Sequence, residues 1–138
     1  MRVMGLDYGD SRIGVALSDE LGWTASPLCV VESKRGKKKA LSELRRLVTE
    51  HSVETVVIGY PLNMDGTEGL RTEVTNQFVL SLESAIPTVQ VVKWDERLTT
   101  VAADRAMREM GIKQRVKGMN DVLAAVFYLQ GYLDSKRI

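Results

Sequence analysis

The chain is poor in the residues that build disulfides and zinc sites. It has one cysteine, Cys29, and one histidine, His51, among 138 residues. One copy of the chain therefore forms no internal disulfide and supplies too few ligands for a Cys/His zinc site. Ser-His or Cys-His catalysis would depend on His51, which follows a helix-like stretch and lies in no recognisable motif. We therefore expect the chemistry to come from carboxylates, lysines, backbone amides or a hard metal ion.

Long apolar runs are also missing. No segment approaches the roughly 20 apolar residues that a membrane helix needs, and the apolar stretch at the start is too short for a signal peptide. The hydrophobic share of 44% and the charged share of 27% are ordinary for a globular protein. We expect a single cytoplasmic domain over residues 1–138.

The net charge is only +1, but the basic residues are clustered. Such clusters can bind phosphate backbones, and they can equally be solvated helix faces or loops. For the first cluster the two interpretations are about even. The first cluster contains Lys34, Arg35, Lys37, Lys38, Lys39, Arg45 and Arg46 with Glu43 among them, and the second contains Lys113, Arg115 and Lys117.

Hydrophobic periodicity predicts an α/β fold. Three leading strands suggest an antiparallel meander, and the later alternation of strands and helices suggests parallel strands added to it. The expected result is a mixed five-stranded sheet with helices on both faces. The predicted strands cover 2–8, 12–18, 26–32, 55–59 and 89–94, and the predicted helices cover 38–51, 70–85, 99 or 100 to 110, and 117–135.

Acidic residues stand at three positions where ordinary surface acids are not expected. Asp7 ends an apolar strand, Asp95 and Glu96 end another, and Asp121 lies on the apolar face of the last helix. Carboxylates gathered there would repel one another unless a cation neutralised them, and oxygen ligands suit Mg²⁺ or Mn²⁺. Two such ions can support phosphodiester hydrolysis. Adjacent strand residues point to opposite faces, so only one of Asp95 and Glu96 can face Asp7, and the sequence does not decide which.

Further residues are candidates for holding a phosphate. The turn-rich loop over 61–69 precedes a helix and could present backbone N–H groups. Arg71 and Arg97 could act as phosphate clamps or form local ion pairs. The full set of candidate nucleic-acid contacts is Asn63, Arg71, Arg97, Lys113, Arg115 and Lys117.

Four segments, in order along nearly the whole chain, resemble the motifs of the YqgF family. They are GLDYGDSRIGVA at 5–16, GYPLNMDGT at 59–67, DERLTT at 95–100 and NDVLAA at 120–125. The resemblance implies an RNase H-like fold, kinship with RuvC-type Holliday junction resolvases, and a nuclease that processes the 5′ end of pre-16S ribosomal RNA. It places the acidic roles on Asp7, Glu96 and Asp121, and it favours Glu96 over Asp95.

Two alternatives to an RNA nuclease stay open. The same carboxylates could cut a four-way DNA junction, which requires a homodimer, whereas an RNA nuclease could be a monomer or a homodimer. The hairpin Asp7-x-Gly9-x4-Gly14 also resembles the phosphate-binding hairpin of the actin and sugar-kinase superfamily. A non-catalytic module that binds nucleic acid or a nucleotide would use that hairpin without turnover.

Overall fold

The structure is a computed structural model that describes residues 1–98, 109 and 118–137. In these ranges a short 3-10 turn, Glu96–Leu98, follows the last strand. None of the helices described is long and apolar enough to cross a membrane. The strands are β1 (Arg2–Tyr8), β2 (Arg12–Ser18), β3 (Ala25–Glu32), β4 (Val53–Tyr60) and β5 (Gln90–Asp95), and the helices are α1 (Lys37–Glu50), α2 (Leu70–Ala85) and α3 (Met119–Ser135).

The sequence predicts these elements closely. Every described strand and helix lies within two residues of its predicted bounds, and α2 matches at both ends. The helix predicted from Thr99 or Thr100 to residue 110 lies outside the described ranges, apart from residue 109.

The five strands form one mixed sheet in the order β3-β2-β1-β4-β5. β2 runs antiparallel to β1 and to β3, while β4 is parallel to β1 and to β5. The carboxyl ends of β1, β4 and β5 therefore meet along one edge, which we call the carboxyl edge. β2 begins and β3 ends at this edge, because Arg12 pairs with Glu32 and Asp7 pairs with Gly14. The predicted mixed sheet is confirmed.

Helices cover both faces of the sheet, as predicted. On one face α1 and α2 pack on a core that includes Met4, Leu6, Leu44 and Phe78. On the other face α3 packs through Ala125, Leu129 and Leu133. Since strand side chains alternate between faces, Asp7 lies on the α3 side of β1, opposite Met4 and Leu6.

Glycines let α3 lie directly on the strands. A Cβ atom at Gly14 would stand 2.1 Å from the backbone oxygen of Asp121, and one at Gly5 would stand 2.7 Å from that of Ala125. Both contacts are too short for any side chain and involve backbone that cannot rotate away. The absence of these two side chains brings the first turns of α3 down to the centre of the sheet.

Gly14→Ala should therefore destabilise the protein by about 3 kcal/mol or more, because the added methyl group overlaps the α3 backbone. Gly22→Ala is the comparison, since Gly22 has a φ of 72° but nothing within 4 Å of the added Cβ. Its cost should be only the backbone strain, about 1 kcal/mol. Urea unfolding measures both. Equal losses in the two variants would contradict the close packing of α3.

Candidate active site

The packing of α3 brings Asp121 to Asp7. Asp7 pairs with Gly14 across β1 and β2, and the Asp121 backbone lies directly over Gly14. The two carboxyl groups are close enough to share a hydrogen bond. Asp121 lies in the first turn of α3, where the positive end of the helix dipole favours a carboxylate. Residues from the first strand and the last helix thus form one acidic pair.

Glu96 completes the acidic cluster from the other side of β1. Val92 and Trp94 of β5 pack on the α3 side of the sheet, and Glu96, the first residue of the following 3-10 turn, lies on that side as well. The Tyr128 hydroxyl of α3 donates a hydrogen bond to Glu96 Oε1 at 3.0 Å. A Cβ at Gly59 would stand 2.5 Å from Tyr128 Cε2 and 2.8 Å from Glu96 Oε1. Gly59 therefore leaves the space in which this hydrogen bond forms.

The cluster strongly favours a bound proton or cation. Burial, followed by the charges of Glu96 and Asp121, raises the pKa of Asp7 from 3.8 to about 7, while the charge of Arg71 opposes the rise. Burial also raises the pKa of Glu96, against the hydrogen bond from Tyr128. The ionised carboxylates are thus incompletely compensated by the protein's own cations.

The donor set suits a hard divalent cation held by pairs of carboxylates. Among the residues described, no three Asp, Glu, His or Cys side chains converge on one metal position. Asp7 nevertheless interacts with both Glu96 and Asp121. Mg²⁺ commonly binds one or two carboxylates and fills its remaining positions with water and substrate phosphate oxygens. The chemistry of these carboxylates therefore fits a hard divalent cation.

Asp95, the alternative to Glu96, faces a different environment. Its carboxylate accepts hydrogen bonds from the Arg97 backbone at 2.9 Å and from the Arg97 guanidinium at 2.8 to 3.1 Å. The side-chain hydrogen bonds from Arg97 lower the pKa of Asp95. Arg97 also donates to the Met64 carbonyl at 3.3 Å. Asp95 and Arg97 thus tie the end of β5 to the loop after β4, and the structure places Glu96, not Asp95, beside Asp7.

The other predicted nucleic-acid contacts fall into three groups. Arg71 lies in the first turn of α2, pairs with the exposed Asp10 at 3.5 Å, and is close enough to lower the pKa of Asp7. The Asn63 side chain forms a hydrogen bond within its own loop, where its amide donates to Thr67 Oγ1 at 3.0 Å. Arg97 is paired as described above. Outside the residues described lie Lys113, Arg115 and Lys117.

Two residues of the site were not singled out from the sequence. Arg12 Nε donates to Asp121 Oδ2 at 3.2 Å, and Tyr128 anchors Glu96. Helical spacing does place Tyr128 on the same face of α3 as Asp121, which was the available signal. Arg12 lies within the first YqgF-like motif, but no local pattern connects it with a residue over a hundred positions away.

The raised pKa of Asp7 predicts a pH dependence of stability. Without divalent metal, the folded protein keeps the Asp7 proton up to about pH 7, whereas the unfolded chain loses it near pH 3.8. The Asp7 proton therefore stabilises the folded protein fully below pH 3.8, and this stabilisation is lost as the pH rises through about 7. Asp7→Asn removes this loss, so in EDTA at pH 8 the variant should be more stable than wild type by on the order of 2 kcal/mol.

Asp95→Asn is the matched control, because the pKa of Asp95 is lowered rather than raised. It should lose stability at pH 8, and this difference from wild type should shrink as the pH falls below the ordinary range of an aspartate. Chemical unfolding from pH 3 to pH 8 measures both variants. An Asp7→Asn protein less stable than wild type at pH 8 in EDTA would contradict the raised pKa of Asp7.

The chain is similar over almost its whole length to a described family and to curated bacterial proteins. The family model RuvX, described as "Holliday junction resolvase", matches residues 1–135. A protein of Ruminiclostridium cellulolyticum named "Putative pre-16S rRNA nuclease" is 53% identical over 97% of this chain and 94% of its own length. A protein of Acetivibrio thermocellus with the same name is 54% identical over 99% of this chain and 97% of its own length.

Solved structures show the same fold. RuvC of T. thermophilus in complex with a Holliday junction substrate has a TM-score of 0.58 and 15% identity, with 99% of this chain and 96% of that chain covered. A second Thermus thermophilus RuvC structure has a TM-score of 0.57 and 17% identity. These likenesses confirm the predicted α/β fold related to RuvC. The family model and the two relatives above 50% identity show that this chain belongs to the RuvX family, also called YqgF.

Proposed function

We propose that this chain is a metal-dependent nuclease that hydrolyses phosphodiester bonds in precursor 16S ribosomal RNA. The observation that carries the proposal is the half-buried Asp7 carboxyl, which interacts with both Glu96 and Asp121 at the carboxyl edge. The nuclease names of relatives more than 50% identical support the activity and the RNA substrate. We also propose that the protein acts in the cytoplasm.

Each residue of the site has a distinct task in the proposed reaction. One or two Mg²⁺ or Mn²⁺ ions, when bound, would activate a water and stabilise the charge on the leaving oxygen. Asp7 would hold the metal together with Glu96 and Asp121. Tyr128 holds Glu96, and Arg12 holds Asp121, so neither acid needs to be ordered at the moment of binding. Arg71, whose charge acts on Asp7, would hold the phosphate whose bond is cut.

The three half-buried acids favour a nuclease over a non-catalytic binding module. A surface that only binds a phosphate backbone gains from cations and loses from carboxylates. Here three carboxylates lie near one another at the carboxyl edge, and burial, followed by the charges of Glu96 and Asp121, raises the pKa of Asp7. Such an arrangement is unfavourable in the protein alone and becomes favourable when cations bind, as in a metal-dependent site.

A four-way DNA junction is the second candidate substrate. The description of the family model and the fold shared with RuvC favour it. A resolvase must make two symmetric cuts, so this function would require a homodimer on the DNA. An RNA nuclease would need only one copy of the site.

Cleavage of two labelled substrates tests the proposal. One is an RNA that spans the 5′ end of 16S rRNA in its precursor, and the other is a synthetic four-way DNA junction. Each is incubated with wild type, Asp7→Asn and Asp95→Asn in Mg²⁺, Mn²⁺ or EDTA. We expect wild type and Asp95→Asn to cut the RNA with metal, and Asp7→Asn to be at least about 100-fold slower.

Each other pattern of cleavage has a definite meaning. Cutting of the junction but not the RNA would transfer the proposal to the second substrate. Wild-type rates from Asp7→Asn, or undiminished cutting in EDTA, would refute a metal site at Asp7. Binding without cutting of either substrate would favour the non-catalytic module.

Tyr128→Phe should reduce kcat by roughly 10-fold or more and leave KM nearly unchanged, because the lost hydroxyl orients Glu96 and does not touch the substrate backbone. Mn²⁺ affinity, measured by calorimetry without substrate, should fall by roughly 10-fold as well. Tyr132→Phe is the control, since Tyr132 lies on the same helix and packs against Trp94, away from Glu96. Unchanged Mn²⁺ affinity in Tyr128→Phe would show that Tyr128 does not position Glu96.

A further inference from the structure

We infer that five basic residues between β3 and the first turn of α1 bind the phosphate backbone of the nucleic acid beside the cleaved bond. This surface, called here the α1 basic segment, consists of Lys34, Arg35, Lys37, Lys38 and Lys39. The inference rests on the proposed nuclease function and adds a substrate-binding surface to it.

The α1 basic segment begins at the carboxyl edge, where β3 ends, and leads into α1 on the face of the sheet opposite α3. Just before it, the Ser33 amide donates to the Ser11 carbonyl at 3.0 Å, and the Ser33 hydroxyl donates to the Gly9 carbonyl at 2.9 Å. Gly9 follows Asp7 by two positions in the β1–β2 hairpin. These hydrogen bonds fix the start of the segment to the turn that joins β1, the strand of Asp7, to β2. A nucleic-acid strand that is cut at Asp7 and runs along the carboxyl edge, past β2 toward β3, would reach the α1 basic segment.

The five cations are free to contact a ligand. All five are exposed, and none forms a salt bridge with any residue that the structure describes. No acidic residue occurs from Ser33 to Ser42. Lys37 makes one long contact, at 3.4 Å to Ser81 Oγ, on the exposed surface. Glu32 and Glu43 line a shared pocket with Arg35 and Lys39, but neither forms a salt bridge with them. The positive charge of this segment is therefore compensated only in part by its described neighbours.

The remaining two cations of the same sequence cluster behave differently. Arg45 donates two hydrogen bonds to the Ala85 carbonyl, at 2.8 and 3.1 Å. Arg46 pairs with Glu43 and Glu50 on its own helix. At 1.5 Å per helical residue, Arg46 lies roughly 12 Å farther along α1 than Lys38. The sequence cluster thus divides into cations that support the fold and cations near the carboxyl edge that do not.

The position of the lysines in α1 also fails to stabilise the helix. Lys37, Lys38 and Lys39 occupy the first turn, which contains no acidic residue and receives no hydrogen bond from a capping side chain. Cations at a helix N-terminus oppose the helix dipole at a cost of about 0.3–1 kcal/mol each. Helix stability therefore does not account for three lysines here, whereas attraction of a polyanion beside the site does.

The test compares two triple variants with equal loss of charge in the Asp7→Asn background, which prevents cleavage. The first is Lys34→Gln, Arg35→Gln and Lys38→Gln. The control is Arg46→Gln, Lys136→Gln and Arg137→Gln, whose cations lie away from the carboxyl edge and contact described groups of the protein. Fluorescence anisotropy measures binding of the labelled precursor RNA over a range of salt concentrations, and thermal unfolding verifies the fold.

Neutralising the α1 basic segment should weaken RNA binding by roughly 10- to 100-fold at moderate salt and reduce the slope of log K against log salt by about 2. The control should change the affinity by less than about 3-fold, and the first variant should melt no lower than its parent. Equal affinities in the two triples would overturn the inference, whether both bind as the parent or both bind weakly. Failure of the nuclease proposal appears separately, as absence of metal-dependent cutting by wild type.

Discussion

The close packing of α3 on the centre of the sheet is the constraint on which the site depends. Gly5 and Gly14 admit the α3 backbone to within a distance that any side chain would block, and Gly59 leaves space for Tyr128 and Glu96. One of these glycines lies on each of β1, β2 and β4. Because α3 is seated this deeply, Asp121 reaches Asp7 and Tyr128 reaches Glu96. A higher position of α3 would separate the acids and remove their repulsion.

That repulsion is the energetic signature of the site. Burial and two neighbouring carboxylates raise the pKa of Asp7 to about 7, and the nearby Arg71 offsets the effect only in part. Arg12 and Tyr128 each hold one of the flanking acids from outside the cluster. The protein therefore fixes three acids in place and leaves their charge to be neutralised by a ligand. This is the electrostatic arrangement expected where divalent cations and a phosphodiester bind.

The sequence predicts the fold better than it predicts the pairing within the site. Strong hydrophobic periodicity locates the strands and helices, and the apolar surroundings of Asp7 mark it as unusual. The choice between Asp95 and Glu96 depends on which face of β5 meets α3, and packing of Trp94 beneath that helix decides it. Pairing of Arg12 with Asp121, and of Arg97 with Asp95 and the Met64 carbonyl, arises from tertiary contacts that no local pattern encodes. For the same reason the sequence could not separate Arg45 and Arg46 from the α1 basic segment.

Metal binding by the protein alone tests the central claim most directly. Isothermal titration calorimetry with Mn²⁺ would compare wild type, Asp7→Asn and Asp95→Asn at pH 8, where Asp7 is ionised in the wild type. If Asp7 forms a metal site with Glu96 and Asp121, wild type and Asp95→Asn bind Mn²⁺ alike and Asp7→Asn loses at least about 10-fold in affinity. Equal Mn²⁺ affinity in all three proteins would contradict the account.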